Sequence, residues 1–261
     1  LAMVSLFVVT PLVLLVVRSF EDGWGTYAAF FESPAQQRAL YITFRESAIV
    51  TVLCLVIGGV VAWRLRVTSS RLMRALLWAI VVIPFLMGVV IKNYAMSVIL
   101  QSNGLLAKLL GLLPFVNGPV DLMYTPAAVV IGITYSLLPY AILMLVVTFN
   151  SIDLDLVRAA QVSGATRSGA VLGVALPLAL PGLLATAALV FMLSIGFYVT
   201  PVMLGGAQSP FLASLIHRQI FVMFDNAGAA ASGTILIAAA ALTLGLLVLA
   251  VGVRRLKGAL R

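Results

Sequence analysis

Pro126-Ala127-Ala128-Val129-Val130-Ile131-Gly132-Ile133-Thr134-Tyr135-Ser136-Leu137-Leu138-Pro139-Tyr140-Ala141-Ile142-Leu143-Met144-Leu145-Val146-Val147-Thr148 contains no charged side chain. A helix that crosses the hydrocarbon of a bilayer needs roughly 20 mostly apolar residues, and this stretch is long enough. Five further stretches qualify, at about 1–18, 47–63, 75–91, 180–204 and 229–253, and the third continues less deeply through Tyr94 to Leu100. The fold class is therefore all-α, a polytopic membrane protein of about six transmembrane helices, forming one domain over residues 1–261. Composition agrees: 63% of the chain is hydrophobic and 9% charged, against roughly 45–50% and about 25% in a soluble domain. So little polar surface cannot wrap a water-soluble core.

The net charge of +8 could suggest nucleic acid or an anionic surface, but its distribution argues for topology instead. Arg64, Arg66, Arg71, Arg74, Arg158, Arg167, Arg254, Arg255, Lys257 and Arg261 fall on one side of the expected spans. Arg18, Arg38, Arg45, Lys92, Lys108 and Arg218 fall on the other, together with Glu21, Asp22, Glu32, Glu46, Asp121 and Asp225. The Lys and Arg excess marks the cytoplasmic side, so both termini are expected in the cytoplasm. No soluble domain is present to bind nucleic acid. The opening run Leu1 to Val17 lacks a cleavage-site pattern and reads as a span rather than a signal peptide. A short piece is expected to precede Leu1. On the outer side, Leu105 to Leu113 is too short to span and reads as a re-entrant or surface-lying piece, punctuated by Pro114, Pro119 and Pro126.

Catalysis and metal binding find little material. Cys54 is the single cysteine and His217 the single histidine, so neither a disulfide nor a Cys/His metal site is expected. His217 beside Arg218 has no Ser or Cys partner in any known motif and reads as a solvated or interface residue. Lys92, Lys108 and Lys257 each lack the preceding glycine of a phosphate-binding loop. Acids are expected only in loops and at span edges, which argues against proton or sodium coupling. Neither a catalytic residue nor a cofactor site is assigned to the chain.

The loop at about 151–168 is the richest segment. Ser151 or Asp153 can cap a helix, and Asp155 suits its positive end. Leu154, Val157 and Gln161 follow helical spacing. Ala160 and Gly164, four apart, form a small-residue stripe that another backbone could approach. Gly164 is expected to end the helix, and Leu176-Pro177 and Pro181 to break the chain before the fifth span. Such a helix either docks a partner or simply links two spans along the interface.

Arg158-Ala159-Ala160, then Gly164, then Val174, Leu176 and Pro177 resemble the EAA loop of ABC importer permeases, with Arg158 where that family usually has Glu. Within the family the chain is similar to the spermidine/putrescine-type permeases. Lys92-Asn93-Tyr94-Ala95, Ile99-Leu100, Gly104, Leu138-Pro139-Tyr140 and Ser194-Ile195-Gly196-Phe197-Tyr198-Val199-Thr200-Pro201-Val202-Met203-Leu204-Gly205-Gly206 carry that likeness. It implies a MetI-like permease architecture in a bacterial inner membrane and polyamine translocation by alternating access. It also implies a coupling loop built on Asp155, Arg158, Ala159, Ala160, Gly164, Leu176 and Pro177. The implied partners are two ATPase subunits that bind ATP and Mg, a second, homologous permease, and a periplasmic or extracellular solute-binding protein. Related permeases for aminoethylphosphonate, iron or sulfate share much of the pattern. A secondary transporter or membrane enzyme is the different-class alternative. Tyr135, Tyr140, Tyr198 and Thr200 are candidates to line a path for a cation; ordinary helix packing is the other reading.

Overall fold

Helix α3, Pro34–Val67, fixes the dimensions of the molecule. Proline occupies its first turn, where no N–H is needed, and the chain leaves helical geometry only at Thr68. The computed structural model describes residues 2–110, 121–206 and 209–259. Before α3 come α1, Ala2–Arg18, and α2, Gly25–Glu32. After it come α4, Arg71–Leu86; α5, Val89–Leu100; α6, Leu105–Leu110; and α7, Pro126–Asn150. The remaining helices are α8, Leu154–Val162; α9, Arg167–Ala170; α10, Leu176–Ile195; α11, Leu212–Arg218; and α12, Asn226–Ala259. Among the described residues there is no strand.

Helices α3, α7 and α10 pack mutually as the heart of the bundle, with α4 against α7, and α1 and α11 against α12. Small residues let them close up: Ala62, Ala141 and Ala179 are fully buried, and an added Cβ at Gly58 would touch Leu145, Ala141 and Ile142 at 3.4–3.5 Å. One apolar cluster, including Leu65, Phe149, Ile152, Val157 and Ala175, gathers the Arg64–Arg74 turn and the 151–168 loop at one end of the bundle. Another, with Phe30, Ala39, Leu212 and Leu236, closes the opposite end.

Among the described residues four helices are long and apolar enough alone to cross a membrane, and α4 reaches that length and composition only together with the segment Val89–Lys108, against which it is bent by 113°. Helix α1 is apolar but has 17 residues. Several expected span edges are corrected. The second span extends outward to Pro34, because Arg38, Arg45 and Glu46 interrupt hydropathy but not helix formation. The third stops at Leu86, where Pro84 precedes an extended Met87-Gly88. The fifth is displaced: a continuous helical stretch runs Ser168–Ile195, so Pro177 and Pro181 do not break it. A π-helical turn at Val171–Ala175 ends two residues before Pro177. Its wider winding frees the Gly173 carbonyl that the Pro177 ring would otherwise strike, and Pro181, four residues on, faces Pro177 across one turn. The chain leaves helix at Gly196 and re-forms a single π-turn at Pro201–Gly205. Residues 111–120, with Pro114 and Pro119, lie outside the described residues.

Burial also corrects the expectation that ionisable groups stay at span edges. Glu46 and Lys92 are each only 3% exposed within α3 and α5. Glu46 Oε2 has no hydrogen-bond partner among the described residues.

Candidate functional site

At the end of α7 the Ser151 hydroxyl donates to the Thr148 carbonyl at 2.8 Å, and Ile152 inserts into the core. Asp153 then caps α8, its Oδ1 accepting from the Asp155 N–H at 2.9 Å. At the other end, the Ala165 N–H donates to the Ala160 carbonyl and the Gly164 N–H to the Gln161 carbonyl, both at 3.0 Å. That pair of bonds is a Schellman closure, and it requires the left-handed residue that Gly164 supplies at φ +97°. Thr166 caps the short helix α9, its hydroxyl accepting from the Gly169 N–H at 3.1 Å. The loop is therefore a capped, closed helix rather than a slack connection.

Helix α8 divides by face. Val157 is buried and Ala160 packs partly against the same core. Asp155, Leu156, Arg158, Ala159, Gln161 and Val162 are exposed. The Ala160/Gly164 stripe is thus not one surface: Ala160 turns toward its own chain, while Gly164 lies past the helix end with nothing within 4 Å of an added Cβ. The outward face instead carries Leu156, Ala159 and Val162 on one stripe. Arg158 bonds Asp155 one turn back at 2.8 Å, with both side chains more than 70% exposed; such a pair contributes about 0.2–0.5 kcal/mol.

The Arg66 guanidinium, from the last turn of α3, donates to the Ile152 carbonyl and pins the loop to that helix. Nothing in the apolar pattern flagged this bond. Leu176 and Pro177 stand apart from α8, on an exposed face of the fifth span.

The four path candidates each make their own contacts. Tyr135 lines an apolar cavity of about 480 Å³ with Ile80, Ile83 and Pro84. Tyr140 packs on Phe85, ring centres 5.2 Å apart. Tyr198 stacks on His217 at 5.1 Å and 15°. Thr200 is fully buried, its hydroxyl donating to Asn93 Oδ1 at 2.9 Å. That bond joins α5 to the turn after α10 opposite Gly132, where an added Cβ would lie 2.8 Å from Thr200 Cγ2 and 2.5 Å from Leu204 Cδ1. Among the described residues no group of three or more His, Cys, Asp or Glu side chains is placed to hold a metal.

Residues 54–258 match the family described as binding-protein-dependent transport system inner membrane component. The spermidine/putrescine transport system permease protein PotB of Escherichia coli (strain K12) is 30% identical over 205 residues, covering 78% of this chain and 74% of PotB. The molybdenum transport system permease protein ModB of Mycobacterium tuberculosis is 27% identical over 249 residues, covering 95% of this chain and 89% of ModB. In fold, the chain is similar to one in a bacterial alginate ABC transporter solved in complex with alginate pentasaccharide-bound periplasmic protein. The TM-score is 0.74 at 19% identity, over 92% of this chain and 87% of that one.

Proposed function

We propose a transport role for this chain, which belongs to the binding-protein-dependent transport system inner membrane component family: it is the permease subunit through which an ABC importer moves a polyamine, spermidine or putrescine, across the inner membrane. The likeness to PotB over most of the chain carries the substrate assignment. The coupling assignment rests on α8, a capped helix that presents Leu156, Ala159 and Val162 to the outside of the chain.

In this reading two ATPase subunits, which bind ATP and Mg, seat on α8 and on its counterpart in a second, homologous permease. A solute-binding protein delivers the polyamine from the opposite face, and both termini are cytoplasmic. Asp155, Arg158, Ala159 and Gly164 meet the ATPase groove, while Ala160 and the Arg66–Ile152 bond hold α8 to the bundle. Leu176 and Pro177 shape the fifth span that α8 drives. ATP-driven closure of the ATPase pair displaces α8, and the spans alternate between faces. This works only if α8 binds the two ATPase states with different free energy.

The test is uptake of radiolabelled spermidine and putrescine into proteoliposomes holding the assembled importer, with its binding protein outside and the ATPase supplied with ATP. ATP-dependent uptake is expected. The ModB likeness spans even more of the chain and favours a second reading, a permease for molybdenum. Entry of molybdate with no polyamine uptake would select it.

A further inference from the structure

At the end of α3 remote from Arg66, Ala35 and Arg38 meet Val202 and Gly206 of the turn beyond α10, and His217 and Arg218 of α11. Together they border an open cavity of about 630 Å³. Arg38 and Arg66 are separated by about 42 Å at 1.5 Å per residue, more than the roughly 30 Å of a bilayer's hydrocarbon. The cavity therefore opens on the membrane face opposite the coupling loop. Arg38, His217 and Arg218 are exposed. All the acids of the chain are among the described residues, and the one ion pair that they form with another described side chain is Arg158–Asp155. Both guanidiniums in the cavity are thus without an acidic partner.

A hollow with two free guanidiniums repels a polycation and attracts carboxylates, whose geometry matches the planar fork of arginine. Its walls also reach the segment after α10: the His217 ring stacks on Tyr198, and Thr200 in the same segment is bonded to Asn93. A group that engages Arg38 and Arg218 together would clamp α3 to α11 and load that segment.

We propose that this cavity is the docking socket for Asp or Glu side chains on the importer's outer solute-binding protein, with Arg38 and Arg218 as its anchors. The proposal rests on the importer reading above. It excludes the polyamine itself as occupant, because like charges would meet.

The experiment uses the assembled importer in nanodiscs and the solute-binding protein that docks on the wild-type complex. Docking affinity is measured at about 10 mM and about 150 mM salt, where the Debye length is about 30 and about 8 Å. In R38Q/R218Q, Kd at low salt should rise about tenfold or more, and the salt dependence should flatten. R38K/R218K should lose only part of this, since charge remains but the fork does not. Basal ATPase activity, which does not involve this face, reports that the variants are folded. Docking by R38Q/R218Q within about twofold of wild type at both salts would overturn the proposal. So would saturable molybdate binding to the wild-type importer without its binding protein, lost in R38Q/R218Q, which would make the cavity an anionic solute site. Wild-type spermidine uptake with undiminished docking in R38Q/R218Q sinks this inference alone. Docking lost in the variant, with no polyamine uptake by wild type, sinks the polyamine assignment alone.

Discussion

Gly132→Ala sets two effects against each other. Gly132 lies inside α7, where alanine is favoured over glycine by about 1 kcal/mol. The new methyl, however, would start 2.5 Å from Leu204 Cδ1 and 2.8 Å from Thr200 Cγ2, whereas carbon contacts settle near 3.5–4.0 Å. Leu204 and Thr200 are both fully buried, so neither can swing into solvent. Overpacking of this kind costs about 1–3 kcal/mol. Displacing Thr200 would also weaken its bond to Asn93, a further loss of about 1 kcal/mol. The net expectation is destabilisation by about 1–3 kcal/mol. Gly59→Ala in α3 is the control, since nothing lies within 4 Å of its added Cβ; it should stabilise by up to about 1 kcal/mol. Cys54 is the single cysteine and is fully buried, so a thiol-reactive dye reports unfolding of the detergent-solubilised chain on heating. Gly132→Ala melting at or above wild type, in step with Gly59→Ala, would refute the close-approach argument.

Four further outcomes are expected. Gly164→Ala puts a Cβ on a left-handed residue and should cost α8 about 1–2 kcal/mol without any steric clash; Gly164→Trp should in addition reduce co-purification of the ATPase, while Arg158→Ala should be mild. Thr200→Val leaves Asn93 Oδ1 unpaired and should cost about 1–3 kcal/mol, and a cycle with Asn93→Ala should return a non-additive term; strict additivity in melting experiments would remove the bond from the account. Cysteines placed at Ser33 and Ser70 should differ towards a membrane-impermeant thiol reagent in intact cells, Ser33 labelling and Ser70 not, and the reverse pattern would invert the topology. Glu46→Gln should leave ATP-driven uptake insensitive to collapse of the proton gradient, as in wild type; gradient-driven uptake without ATP that Glu46→Gln abolishes would indicate proton coupling.

Four of the six expected spans correspond to helices long and apolar enough to cross a membrane, legible because lipid imposes a length and a composition on them, and α7 matched its apolar run within two residues at the C-terminal end. The features that escaped have physical causes. Hydropathy falls at Arg45-Glu46, but helix propensity does not, so the outward extension of α3 and the burial of Glu46 were invisible. Pro177 normally ends a helix, yet one π-turn upstream removes the clash. The caps of α8 were readable from Asp153 and Gly164, whose residue types have strong local preferences. The Arg66–Ile152 bond and the Arg38–Arg218 socket join residues far apart in the chain, and no local pattern encodes such a meeting. The Ala160/Gly164 stripe is not one surface because Ala160 packs against the core of its own chain, and helical spacing alone does not tell an inward face from an outward one.

The exposed surface of the bundle bears on what must cover it. The chain exposes 15752 Å², whereas a soluble monomer of 27.6 kDa would expose about 11,000 Å². Exposed apolar side chains such as Leu72, Leu76, Ile80 and Ile83 of α4 contribute to the excess. Acyl chains cover these at no cost. Helix α8 is different. Val162 is 90% exposed and Leu156 50%, on a helix whose outward face also holds Asp155 and Arg158. Carrying that charge into hydrocarbon would cost about 2.5–3.5 kcal/mol per residue on insertion scales, so the bilayer core cannot cover Leu156 and Val162. In water they remain an uncompensated apolar stripe. A protein groove with an apolar floor and polar rim satisfies both halves of the face together, and that is the physical ground for placing the ATPase there.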